Sequence, residues 1–210
     1  MSIAFRTATP ADSEAAVPLI YSSGPAAFDY VFTVPGRRTA LQFLQRAFLD
    51  GHGEFGCRNH VVATLDGQVV ASGAAWCGDS TLTFALAAAR QILGSYGPVA
   101  GPAVIARGLR VESIIQPPAK DCWYVAHLGV PAELRGRGFG AAMIAHLLQR
   151  GRARGLPKAA LDVAVTNQRA QALYDRLGFV VTAERVSTLR NAQAAVANHR
   201  RMVLPLSGRA

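Results

Sequence analysis

The 210-residue chain is 50% hydrophobic and 17% charged, and 22 Lys and Arg against 13 Asp and Glu give a formal net charge of +9. A half-apolar composition excludes intrinsic disorder, and the longest apolar stretches, Phe84 to Ala89 and Val99 to Ala106, are too short for a membrane helix. Three separated cysteines, no apolar leader behind Arg6, and a length suited to one domain over about 3–207 point to a cytoplasmic globular protein with no membrane partner.

Along the chain, Ile3 to Thr7 reads as a short strand, and Thr9-Pro10-Ala11-Asp12 as a helix start with Pro at the first position. That helix runs to about Tyr21, with a kink or early end expected at Pro18. Tyr21 to Pro35 reads as a turn-rich loop carrying Phe28, Tyr30 and Phe32. Leu41, Leu44, Phe48 and Leu49 mark an amphipathic helix, ended by Gly51, Gly53 and Gly56. His60 to Leu65 and Gln68 to Ala75 are strands joined by Asp66-Gly67, a strong hairpin dipeptide. From Gly78 to Lys120 the chain is rich in Ala, Gly and Pro, and one or two helices form an insertion of about 78–120. Such an insertion covers a site, fills the core or builds a homodimer surface.

Trp123 to Val130 is the next strand. A glycine-rich loop and a helix packing through Met143, Ile144, Leu147 and Leu148 follow, then a strand over Ala160 to Val165. Asn167 caps a helix whose stripe is Ala170, Leu173, Tyr174 and Leu177, and Gly178 ends it. Phe179 to Val186 and Arg201 to Leu204 supply two more strands. The order is mixed α/β, with an antiparallel first half and a β-α-β-α-β second half.

Chemistry concentrates in the loop from Arg135 to Gly140. Glycines at 136, 138 and 140, placed before a helix, turn successive N–H groups toward one guest, and the helix dipole favours a negative one. Arg135 and Arg137 add charge-assisted donors, so a phosphate or pyrophosphate is expected. Gly136-x-Gly138-x-x-Ala141 also satisfies a dinucleotide fingerprint. That fingerprint wants an acidic residue closing the next strand, whereas Asp162 lies inside it. His52, Cys57 and His60 lack a fourth ligand at a zinc spacing, so no metal is expected. The arginines carry no aromatic interleaving or nucleic-acid module, so no nucleic acid is expected.

Arg135-x-x-Gly138-x-Gly140, followed by Asn167-x-x-Ala170-x-x-Leu173-Tyr174-x-x-Leu177-Gly178-Phe179, resembles the GNAT N-acetyltransferase family over about Trp123 to Val186. The resemblance implies a single-domain α/β fold with a mixed sheet of about six to seven strands, flanking helices and a splay between strands 4 and 5. It implies acetyl-CoA as cosubstrate, its pyrophosphate wrapped by Arg135, Gly136, Arg137, Gly138, Phe139 and Gly140. Its pantetheine arm would lie along Leu128, Gly129 and Val130 and against Asn167. Tyr174 would donate a proton to the leaving thiolate. The implied acceptor is an amine on a small molecule or peptide, and Asp29, Tyr30 and Tyr124 are its candidate contacts. A non-catalytic acyl-CoA-binding regulatory module is the alternative.

The general base stays open at this level. Strict alternation puts Cys122, Tyr124 and Ala126 on one face of the strand and Trp123, Val125 and His127 on the other. Family members often carry a Glu or His at the place of Tyr124 or Ala126, and this sequence has neither. His127, a water chain ending on Tyr124, Asp29 and Glu54 are all allowed.

Overall fold

His60–Leu65 (β2) and Gln68–Trp76 (β3) pair antiparallel across Asp66-Gly67, whose φ values of 50° and 81° are those a tight two-residue hairpin turn requires. In the computed structural model, which describes residues 3–206, Ala4–Thr7 (β1) extends this hairpin on one side and Cys122–Gly129 (β4) on the other. Lys158–Ala164 (β5), Val180–Arg185 (β6) and His199–Pro205 (β7) complete a seven-stranded sheet of order β1-β2-β3-β4-β5-β7-β6. Every pairing is antiparallel except β4 with β5. Residue 207, the last of the expected domain span, lies outside the described residues.

The parallel junction is short. Only Cys122, Trp123 and Tyr124 pair with Lys158, Ala159 and Ala160, and beyond them β4 and β5 diverge. This is the expected splay. The backbone of β4 from Val125 onward therefore has no strand partner on its β5 side, which leaves main-chain donors and acceptors facing the gap.

Helices cover both faces. Phe139–Ala153 (α5) buries Met143, Ile144 and Leu147 against Trp123, Val125 and Leu161. The indole of Trp123 donates to the Leu147 carbonyl at 2.8 Å. On the opposite face Ser13–Ser22 (α1) and Ala40–Asp50 (α3) bring Val17, Ile20, Phe43 and Phe48 onto Val62. Thr39 caps α3 reciprocally with Gln42. Pro18 does not end α1, which continues to Ser22.

The stretch Tyr21 to Pro35 is not a loop. Pro25–Phe32 forms a helix (α2) with Pro25 at its first position, and Phe28 and Phe32 lie one turn apart on its buried side. The insertion is Thr81–Val111 (α4), two helical pieces joined at Gly97, whose φ of 74° breaks the run before Pro98. Tyr96 and Arg107 of α4 donate to the carbonyls of Phe32 and Thr33, satisfying the C-terminal end of α2. Gln168–Arg176 (α6) carries Tyr174 on its buried side.

Candidate active site

The diverging ends of β4 and β5 open into a cavity of about 750 Å³, which runs from the glycine loop past Tyr174 and Tyr124 to Phe28, Phe55 and the wall of α4. At its phosphate-sized end, Gly136 and Gly138 adopt φ of 83° and 87°, and a side chain there would be strained. The backbone N–H groups from Gly136 to Ala141 meet no acceptor among the described residues, and α5 begins there with Gly138 as its N-cap. An anion fits this cradle.

The side chains divide in a way the sequence does not show. Phe139 is buried in the core, so only its N–H is available to a ligand. Arg135 folds back on the Val130 carbonyl at 3.1 Å, and Arg137 is exposed and outside the cavity lining. Arg169 of α6 instead lines the cavity and stands over Gly136. None of the three pairs with a carboxylate among the described residues. Arg169 lies outside the glycine loop in sequence, and only the return of α6 to the same place brings it there.

Gly129, Val130 and Leu128 lie along the free edge of β4. A Cβ on Gly129 would land on the Leu19 carbonyl, so α1 ends directly against this strand. Leu128 turns its side chain to the α5 face. Asn167 sits at the mouth of the gap, where its side-chain oxygen accepts from the Ala170 N–H at 3.1 Å. Its amide nitrogen has no hydrogen-bond partner among the described residues.

Tyr174 lines the cavity beside Phe179, and its hydroxyl makes no hydrogen bond among the described residues. Burial alone pushes its pKa up to about 12. The phenol therefore keeps its proton at neutral pH and can act as a donor.

Across the gap Tyr124 donates to Asp162 at 2.9 Å, and Arg201 holds the same carboxylate at 2.5 Å. Burial first, then the charge of Asp162, raise the Tyr124 pKa well above its ordinary value. A phenol so held does not accept a proton, which removes Tyr124 as the end of a basic water chain. It remains part of the cavity wall. Gln116, just after α4, takes hydrogen bonds from Arg185 and Arg201 and ties the covering segment to the β6–β7 edge.

Asp29 and Tyr30 are not in the cavity. The Asp29 carboxylate is occupied by the hydroxyls of Tyr21 at 2.7 Å and Thr33 at 3.0 Å. Tyr30 is packed in the core on α2. Both were expected on a loop, and helix formation turns them away.

His127 also departs from the alternation read in the sequence. Ala74 pairs with Ala126 but Ser72 with Gly129, so β4 carries one extra residue, and His127 there has a φ of 55°. This bulge puts His127 on the Tyr124 face, against Trp76, Phe28 and Phe55. Its Nδ1 lies 3.1 Å from Nε2 of His60, and its Nε2 lies 3.3 Å from a Glu54 carboxylate oxygen. The Ser72 hydroxyl, opposite the bulge, is buried in the cavity wall with no partner among the described residues.

A family model described as the acetyltransferase (GNAT) family matches residues 30–179. A curated relative, the 5-NmdU N-acetyltransferase of Pseudomonas phage PaMx11, is 42% identical over 57 residues, which cover 27% of this chain and 39% of that protein's length. A Staphylococcus aureus Mu50 N-acetyltransferase structure shares 16% identity at a TM-score of 0.69, over 96% of this chain and 100% of its own. The Escherichia coli ribosomal-protein-S18-alanine N-acetyltransferase shares 16% identity at a TM-score of 0.54, over 100% and 97%.

Proposed function

The chain belongs to the acetyltransferase (GNAT) family, and on that premise we propose that it transfers an acetyl group directly from acetyl-CoA to an amine. The observation that carries the proposal is a single cavity joining a cradle of N–H groups to the protonated hydroxyl of Tyr174, neither of which meets a hydrogen-bond partner among the described residues. Acetyl-CoA supplies an acyl group activated as a thioester. The N–H groups of Gly136 to Ala141, with Arg135 and Arg169, receive its phosphates. The free edge of β4 at Leu128 to Val130 accepts the extended arm as a strand accepts a neighbour, and Asn167 offers its amide across the gap. A backbone N–H of β4 beside the gap supplies the fixed donor for the negative charge that grows on the carbonyl oxygen. Tyr174 gives its proton to the departing sulfur.

The non-catalytic alternative drew its support from the absence of a carboxylate in β4. Glu54 enters the cavity from the loop before β2, so that support is gone. Both readings are tested by following free thiol from acetyl-CoA with phenethylamine, n-hexylamine, spermidine and an alanine-terminated peptide. Thiol release that depends on an amine is expected. Acetyl-CoA binding by calorimetry without turnover on any amine would restore the binding-module reading. Tyr174→Phe should lower turnover by about 10- to 1000-fold with acetyl-CoA affinity little changed. Unaltered turnover would remove Tyr174 from its role.

A further inference from the structure

We propose that His127 is the general base, that Glu54 and His127 together receive the acceptor as a primary ammonium, and that His60 is the positioning residue fixing the tautomer of His127. This rests on the acetyltransferase reading above and adds the base and the form of the acceptor.

The assignment follows from counting protons along one chain of hydrogen bonds. His60 is fully buried, and burial followed by the proximity of His127 lowers its pKa from 6.5 to about 3, so its ring is neutral. Its Nδ1 lies 3.0 Å from the Gly56 carbonyl, which can only accept, so the single proton of His60 is on Nδ1. Its Nε2 is then a bare acceptor. His127 Nδ1, at 3.1 Å, must carry the proton donated to it. Neutral His127 is thereby left with its lone pair on Nε2, facing the cavity beside Glu54.

With His127 in the neutral form that a base requires, its Nε2 and the Glu54 carboxylate are two acceptors 3.3 Å apart that need a proton between them. A primary ammonium supplies it, donating one N–H to Glu54 and one to His127. His127 Nε2 takes its proton, the freed nitrogen pair forms the bond to the acyl carbon, and the carbon–sulfur bond breaks. The sulfur leaves with the proton of Tyr174, and the second proton shed by the nitrogen as the neutral amide forms returns the phenol to its protonated state through solvent. The resulting imidazolium is held between the Glu54 charge and the His60 acceptor.

Among the described residues, the ionisable groups facing His127 are His60 from β2 and Glu54 from the loop before it, and Glu112 at the end of α4 and Tyr124 of β4 in turn feel the charge of Glu54. The neighbours from α2 and β3 are Phe28 and Trp76, which do not titrate. The positive φ at the bulge is what aims the ring, a strained conformation of the kind that persists where function requires it.

Two measurements test the inference on the intact protein. Long-range proton–nitrogen correlation spectra at about pH 8 should show His60 and His127 both protonated at Nδ1 and bare at Nε2. A proton on Nε2 of neutral His127 would overturn the proposal. With the fastest of the four amines above, His127→Gln should lower kcat/KM by about 10²- to 10⁴-fold near neutral pH and leave acetyl-CoA affinity unchanged. The wild-type profile should level off once the base is free, whereas the variant should keep climbing toward the pKa of the amine itself. His60→Phe should lower kcat more than KM changes and alter the same profile. Wild-type kcat/KM and profile in His127→Gln would overturn the base assignment. Absence of turnover on every amine would instead overturn the acetyltransferase reading, and the spectra would still decide the tautomer.

Discussion

His60 has no contact with solvent, yet its consequences reach the stability of the whole protein. Its folded pKa of about 3 lies below the ordinary 6.5. Between those values the unfolded chain binds a proton that the folded chain refuses, so folding stability falls as pH drops across that window. Asp12, lowered from 3.8 to about 2 chiefly by the hydrogen bond from Arg6, adds a second loss as pH falls through that lower range. Urea midpoints measured from pH 7 to 4 should decline, and His60→Leu should flatten the decline above pH 4. An equal slope in the variant would place the acid sensitivity elsewhere. Glu54 and His60 are both visible in the sequence, but pattern alone does not join them to His127. Glu54 stands between Gly53 and Phe55 in a loop without periodicity, and His60 opens a strand 67 residues before its partner His127. No local window contains both histidines.

At the scale of elements, the site depends on how closely α5 approaches β4, because the helix start forms one end of the cavity. Gly151 makes this approach possible. A Cβ there would lie 2.5 Å from the Trp123 ring and 3.0 Å from Leu206. Gly151→Ala should therefore cost about 1–3 kcal/mol of stability in denaturant titrations, by forcing the helix or the indole aside. A neutral result would mean that α5 shifts freely. The periodic elements were legible from sequence because their apolar stripes match what they cover, as Met143, Ile144 and Leu147 do. Two readings failed for definite reasons. Alternation along β4 was broken by one inserted residue, which carries no compositional mark. The α2 helix was hidden by its flanking Ser, Gly and Pro, although Pro25 ahead of Phe28 and Phe32 was the available signal.

For the whole molecule, the net charge of +9 bears on approach rather than on fold. Arg135, Arg137 and Arg169 are exposed and lack carboxylate partners among the described residues. Their attraction for a polyphosphate is therefore screened by salt. Acetyl-CoA affinity should weaken about tenfold between roughly 50 and 500 mM NaCl, and Arg169→Ala should reduce that dependence. Affinity independent of salt would mean that the backbone cradle alone holds the phosphates. The glycine loop and the Asn167–Phe179 segment made the fold and the phosphate end readable from sequence. The proposed acceptor end was not, because it is assembled from α2, α4, the loop before β2 and a distorted strand.

The short junction between β4 and β5 has a mechanical meaning. Three residue pairs join a four-stranded blade to a three-stranded one, and past Tyr124 the blades are held apart by nothing that the sheet itself provides. An extended ligand of the proposed kind would lie in the opening as a removable rung of the ladder, bonded along its length to β4. Its occupancy would then stiffen the sheet by mass action, because the seam is the part of the sheet with the fewest main-chain bonds of its own.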